Sequence, residues 1–200
     1  ALGSNCGPLL IKKTGQRNPR EYDLIAIPGE YTTANFLLSY AFPQLKMRKK
    51  MIFSDIEKAI QTKQVSAGLI IHENRFTYKD RGFEKVADLG FIWEEKTNHP
   101  IPLGGIAIKR NLNPKMQLCI EKVIRKSIEY AFKFPFESSL FVKNNAQEMA
   151  PEIIKKHIEL YVNQYSLSLG EKGKSAVEYM YFALIENNFI LPINKTLFVK

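Results

Sequence analysis

The sequence predicts an α/β fold built on an open sheet, and three observations carry that prediction. The stretch Ala67-Gly68-Leu69-Ile70-Ile71 is apolar without alternation and ends abruptly in the polar cluster His72-Glu73-Asn74-Arg75. A strand covered on both faces loses its polar alternation, as strands of a parallel sheet do. Residues 24–27, the pair Pro28-Gly29 and the run from Thr32 through Tyr40 read as strand, tight turn and helix in immediate succession. From Asn113 onward the apolar period becomes helical.

Taken in order, residues 8–13 form a first strand, and 14–20 (TGQRNPR) are a polar, turn-rich connection with no apolar period. After the strand at 24–27, Thr32 or Thr33 caps a helix through Ala34, Phe36, Leu37 and Tyr40. Unpaired N–H groups at such a helix start, reinforced by the helix dipole, suit a carboxylate or phosphate, and an ordinary capped helix fits the same spacing. Residues 47–53 are the next strand. Ser54 with Glu57 three positions on has the capping-box arrangement and opens a short helix to Thr62. Next come the strand that ends before His72, a strand at 83–88, and a helix capped by Asp88 that carries Trp93 toward Thr97.

Asn98-His99-Pro100-Ile101-Pro102 forces an extended path, because each proline fixes its own φ and biases the residue before it away from helix. Residues 103–109 read as a strand opened by Gly104-Gly105, where the missing side chains would let backbone or ligand approach closely. Ile120, Val123, Ile124, Ser127, Ile128 and Ala131 make a core-facing stripe on a helix that stops before Pro135. Shorter helices follow at 138–145 and from Pro151 through Tyr161, and Ala176, Met180, Ala183 and Leu184 mark a last one.

A chain that is 45% apolar and 12% aromatic can furnish the core of one large domain or two small lobes. No apolar run reaches the ~20 residues that span a bilayer, and no membrane partner is expected. Cys6 and Cys119 stand far apart without CxxC spacing or companion histidines, so two free thiols are the simplest reading and no metal site is expected. The net charge of +9 is scattered. Its densest run, Lys46 to Met51, reads as a charged strand edge, so no nucleic-acid partner is expected. A net positive field does favour an anionic small-molecule substrate.

His72, the first residue past a buried strand, falls at the carboxyl edge of the sheet, where ligands of open α/β folds bind. An imidazole there can give or take a proton near neutral pH, and a strand-end histidine also serves as a hydrogen-bonded structural residue. His99, before a proline, and His157, on an apolar helix face, read as structural. The chain has no GxSxG, no P-loop, no GxGxxG after a strand and no metal-spaced histidine pair, which removes hydrolase, NTPase and zinc-enzyme readings and leaves acid–base chemistry without a cofactor.

Four segments also carry a resemblance: IAIPGEYTTANFLL at 25–38, IIHENRFTY at 70–78, IPLGGIAIKR at 101–110 and YVNQYSLSLGEKG at 161–173. In this order and spread across the chain, they resemble the 1,4-dihydroxy-6-naphthoate synthases of the futalosine route to menaquinone. The resemblance implies a two-lobed, periplasmic-binding-protein-like (type II) fold with a central cleft, and a cytoplasmic lyase that converts cyclic dehypoxanthine futalosine to 1,4-dihydroxy-6-naphthoate. It assigns the proton acceptor to His72 and substrate contacts to Thr33 and Ala34; Thr32, Glu73, Gly104 and Gly105 complete the expected pocket. The family carries strands and helices, including a substrate-contacting segment, ahead of the position matching Ala1. The expectation is therefore a chain matching the later part of a longer enzyme, with one lobe incomplete, apolar surface exposed there and association into a homo-oligomer through it. The expected lobes are 1–13 with 102–200, and 20–101, with crossings at 14–19 and 98–102. A solute-binding or sensor module that closes on a small anion without chemistry, and the related chorismate dehydratase, are the alternatives.

Overall fold

A computed structural model of the chain describes residues 2–4, 6–71, 74–145 and 150–199. The chain divides into two compact units, one of Gly3–Leu103 and one of Ala1–Leu2 with Gly104–Lys200.

The Gly3–Leu103 unit is built on five strands. After the two-residue strand β1 (Leu2–Gly3) come β2 (Leu9–Lys13), β3 (Ile25–Ile27), β4 (Arg48–Lys50), β5 (Ala67–Ile70) and β6 (Phe83–Asp88), and the sheet order is β4-β3-β5-β2-β6. β3 runs parallel to β4 and β5, while β2 is antiparallel to both β5 and β6. The His72 strand is therefore parallel to one neighbour only, and its lack of alternation reflects burial on both faces rather than an all-parallel sheet. The pair β1 with β7 (Ile101–Pro102) makes a separate two-stranded ladder.

Both faces of the sheet are covered. Leu9, Ile11, Ala26 and Ile70 join Ile56, Ala59 and Ile60 of α2 (Ile56–Gln61) in one buried cluster with Val65, Tyr78 and Phe83. Gly68 is what lets α2 close on β5, because a Cβ there would lie 2.4 Å from a methyl of Ile56. Helices α1 (Thr33–Ala41) and α4 (Leu89–Thr97) pack together through aromatic edges. Trp93, fully buried, stands edge-on to Phe36 at 6.0 Å and to Tyr40 at 5.2 Å between ring centroids, a geometry favoured by the ring quadrupoles. Between β5 and β6 lie the one-turn helix α3 (Asn74–Thr77) and a 3₁₀ turn at Tyr78–Arg81, closed by Gly82 in the left-handed conformation at φ 80°.

The other unit is helical: α5 (Pro114–Lys133), α6 (Ser139–Asn145), α7 (Pro151–Tyr161), α8 (Gln164–Leu167) and α9 (Gly170–Glu186). Pro114 at the first position and Asn113 Oδ1, accepting from Lys115 N at 2.8 Å, start α5, the preference expected of a helix start. Gly173, Ala176, Met180 and Ala183 of α9 are buried.

Several expectations are corrected here. Residues 3–13 belong with the sheet of the Gly3–Leu103 unit and not with 102–200. Leu9, Leu10 and Ile11 fill the gap between β5 and β6, a pairing that a single apolar strand does not announce in its own sequence. Residues 14–19 are accordingly a turn inside that unit, with Thr14 N donating to Gly82 O at 3.1 Å and Gln16 N to Lys13 O at 3.1 Å. Ser54 caps no helix among the described residues: it sits within a 3₁₀ turn, Phe53–Asp55, that runs straight into α2. Residues 103–109 form no strand. The α5 stripe is not a core. Ile120, Ile124 and Ile128 are half-buried and Val123 is 61% exposed, because an apolar stripe is buried only where a partner surface covers it, and among the described residues no α5 side chain is fully covered.

Candidate active site

Parallel pairing sets the geometry of the site. Ile25 and Ala26 of β3 stand opposite Ala67 and Gly68 of β5, so the carboxyl ends of the two strands share one edge of the sheet. From that edge the chain leaves β3 into Pro28-Gly29-Glu30-Tyr31 and leaves β5 at Ile70. His72 and Glu73 lie outside the described residues. Ile70, the last strand residue before them, is buried at 2% exposure.

The turn after β3 is fastened at two of its carbonyls, those of Gly29 and Glu30. Thr32 is the N-cap of α1, with extended φ and ψ of −106° and 149°, and its Oγ1 accepts from Asn35 N at 3.2 Å while donating to Gly29 O at 2.8 Å. Asn35, only 4% exposed, donates from Nδ2 to Glu30 O at 2.8 Å. Arg48 in turn donates from Nη1 to Asn35 Oδ1 at 2.6 Å and to Ser39 Oγ at 2.7 Å, and from Nε and Nη2 to Leu45 O at 3.2 and 3.1 Å. Burial pulls the Arg48 pKa down, since desolvation disfavours the charged form. Thr33 and Ala34, the first two helical residues, keep backbone N–H groups with no acceptor among the described residues, the ordinary condition of a helix start. Such a pair, at the positive end of the α1 dipole, can hold a carboxylate.

Beyond the His72 position the chain is anchored again. Arg75, its side chain 12% exposed, donates from Nη1 to Gly7 O at 3.0 Å and pairs through Nη2 with Asp88 Oδ2 at 3.3 Å. Asp88 Oδ1 meanwhile accepts from Gly90 N and Phe91 N, both at 3.1 Å, as the cap of α4. One guanidinium thus ties α3, the segment before β2 and the start of α4 together.

Thr32, Thr33 and Ala34 share one unit and one sheet edge with the strand that leads to His72. Gly104 and Gly105 belong to the other unit, are exposed, and have no atom within 4 Å of a would-be Cβ. Sequence reading missed Asn35, Arg48 and Arg75. Arg48 is half-buried, whereas Lys50, which shares its face of the strand by alternation, is exposed, so the period of the Lys46–Lys50 run does not single it out. Among the described residues no group of three or more histidine, cysteine or acidic side chains could hold a metal ion, and no helix is long and apolar enough to cross a membrane.

Residues 1–186 match the model of the family described as menaquinone biosynthesis. The chain belongs to that family. A 1,4-dihydroxy-6-naphthoate synthase of Thermus thermophilus is 38% identical over 202 residues, covering the whole of this chain and 72% of that protein. The solved structure of an Archaeoglobus fulgidus protein superposes with a TM-score of 0.87 at 32% identity, over 95% of this chain and 71% of that one. The periplasmic aliphatic sulphonate binding protein of Escherichia coli shares the fold alone, with a TM-score of 0.51 at 12% identity over 95% of this chain and 71% of that one. This member of the menaquinone biosynthesis family thus has a periplasmic-binding-protein-like α/β fold.

Proposed function

We propose that this chain carries the chemistry of a 1,4-dihydroxy-6-naphthoate synthase: a lyase that converts cyclic dehypoxanthine futalosine to 1,4-dihydroxy-6-naphthoate in an acid–base reaction without a cofactor. The observation that supports it most is the 38% identity to a protein of that name along the whole chain. In this reading the substrate's anionic group sits on the N–H groups of Thr33 and Ala34, with Thr32 shaping the turn. His72, following a buried strand on the same sheet edge, acts as general base. Removal of a substrate proton starts the fragmentation that releases the sugar-derived part and lets the naphthalene ring become aromatic. The excess of basic residues favours an anionic substrate, and a cytoplasmic location belongs to the same reading.

The test is single-turnover formation of dihydroxynaphthoate by wild type, His72→Ala and His72→Asn. A positioned base is worth roughly 100-fold to 10,000-fold in rate, so both variants should fall by that factor with substrate binding retained. If both kept more than about half the wild-type rate, far less than a base contributes, His72 would be a structural residue and Glu73 the next candidate.

A further inference from the structure

The turn proposed to hold the substrate anion is itself held by a buried polar chain that ends in Arg48. Asn35 uses both ends of its amide: Nδ2 donates to Glu30 O at 2.8 Å and Oδ1 accepts from Arg48 Nη1 at 2.6 Å. A buried primary amide can rotate by half a turn and exchange its oxygen for its nitrogen unless its partners forbid it. Arg48 forbids it, because a guanidinium has donors only. Its charge fixes Oδ1 toward β4, and Nδ2 must then point to the Glu30 carbonyl. With Thr32 Oγ1 donating to Gly29 O at 2.8 Å, the Gly29 and Glu30 carbonyls both face side chains at the helix start.

Arg48 has no carboxylate partner of its own among the described residues. The acceptors around it are Leu45 O, Asn35 O, Asn35 Oδ1 and Ser39 Oγ, all neutral. A half-buried guanidinium bonded only to neutral groups is poor cement, since desolvating the charge offsets much of what its hydrogen bonds contribute. An apolar side chain here would leave Asn35 Oδ1 and Leu45 O without this donor. What the arginine adds is direction.

We infer that Asn35 and Arg48 are positioning residues for substrate binding: together they set the backbone of the 29–33 turn so that the Thr33 and Ala34 N–H groups aim at the substrate's anion. The inference rests on the proposed placement of the substrate at the α1 start. Neither side chain needs to touch the substrate. Losing either releases the Glu30 carbonyl, and the turn then relaxes by enough to spoil two N–H bonds whose geometry must be right together.

The experiment measures the Kd of 2-naphthoate by calorimetry, KM and kcat for turnover, and the thermal midpoint of Asn35→Ala, Arg48→Met, Arg48→Lys, Ser39→Ala and Thr33→Pro. Asn35→Ala and Arg48→Met should each raise Kd and KM about tenfold, the scale of one misaligned hydrogen bond, with kcat within about twofold. The double variant should be no worse than either single, because one chain is broken once. Arg48→Lys should not rescue binding, since it restores the charge but not the fork; a rescue would mean that Arg48 acts by charge alone and would overturn the positioning role. Ser39→Ala, which removes an Arg48 acceptor outside the chain to Glu30, should lower the midpoint and leave Kd alone. Folded Asn35→Ala or Arg48→Met with wild-type Kd, or fully additive effects in the double variant, would also overturn it. Thr33→Pro separates the two failures: if it weakens binding while Asn35→Ala does not, the positioning role alone is wrong, and if neither does, the placement of the substrate is wrong.

Discussion

Gly90 and Cys6 are in backbone contact: a Cβ built on Gly90 would fall 1.8 Å from the Cys6 carbonyl oxygen. The closeness extends to Gly7, at φ 138°, whose own Cβ would lie 2.9 Å from the Gly90 Cα. Both sides of the contact therefore exclude side chains. The start of α4, capped by Asp88, is thereby pressed against the segment entering β2, and Arg75 bridges the two from the segment beyond His72.

Gly90→Ala should consequently be among the most damaging single-atom-scale changes in the chain. The obstacle is backbone, which cannot swing away as a side chain can, so the helix start must move. A loss of about 3 kcal/mol, the upper end for overpacking, is expected in urea unfolding at neutral pH. A loss below about 1 kcal/mol, ordinary for a tolerated substitution, would show that the contact relaxes freely.

Asp23 should dominate one acid-sensitive step. Arg17 grips its carboxylate through two bonds, at 2.6 and 2.9 Å, and with help from Arg20 N at 2.6 Å and Ser66 Oγ at 3.3 Å holds its pKa at about 2, below the ordinary 3.8. A folded-state pKa below the unfolded one means that folding favours the ionised form. The stabilisation is then fully present above pH 3.8 and disappears as the pH falls through about 2. Wild type should lose stability over that window relative to Asp23→Asn, the variant being less stable at pH 7 and the two curves meeting near pH 2. Parallel curves in urea titrations at pH 7, 4 and 2.5 would refute the assignment.

The two cysteines should differ sharply toward alkylation. Cys6 is fully buried and desolvation pushes its thiol up to about 11, whereas Cys119 is exposed on α5. The thiolate is the reacting form. One equivalent of iodoacetamide should be taken up rapidly at pH 8, mapped by mass spectrometry to Cys119, and Cys6 should follow only on unfolding. Early labelling at Cys6 would mean that the Gly7–Gly90 contact opens in the native state.

Local signals were read correctly at two helix starts, Thr32 and Asp88, and wrongly at a third, Ser54. Thr32 and Asp88 cap their helices because a side-chain oxygen two or three residues ahead of an unpaired N–H suffices. Leu9–Lys13 reads as a strand from its own residues, but its insertion between β5 and β6 depends on partners 57 to 79 residues away in the chain. The α5 stripe failed for the opposite reason. Its period states that one face is apolar, and only tertiary structure states whether anything covers it. Asn35 and Arg48 were hidden because a buried amide and a cation 13 positions apart leave no periodic trace. Thr33, Ala34 and His72 were singled out by resemblance, and spacing alone would have left them an ordinary cap and a strand-end histidine.

The α1 start offers a substitution that separates binding from folding. Proline is favoured at the first helical position, where the N–H it removes has no intrahelical acceptor, and it requires an extended residue before it. Thr32, at φ −106° and ψ 149°, already meets that requirement. Thr33→Pro should therefore keep the thermal midpoint within a few degrees of wild type while deleting one of the two N–H groups proposed to hold the substrate. Thr33→Val removes the hydroxyl and keeps the N–H. If the backbone is the anchor, Thr33→Pro should weaken 2-naphthoate binding about tenfold or more, the scale of a charge-assisted hydrogen bond, and Thr33→Val should weaken it less. Equal losses in the two variants would place the hydroxyl, and not the helix N–H, on the ligand. Unchanged affinity in both would move the anion away from this helix altogether.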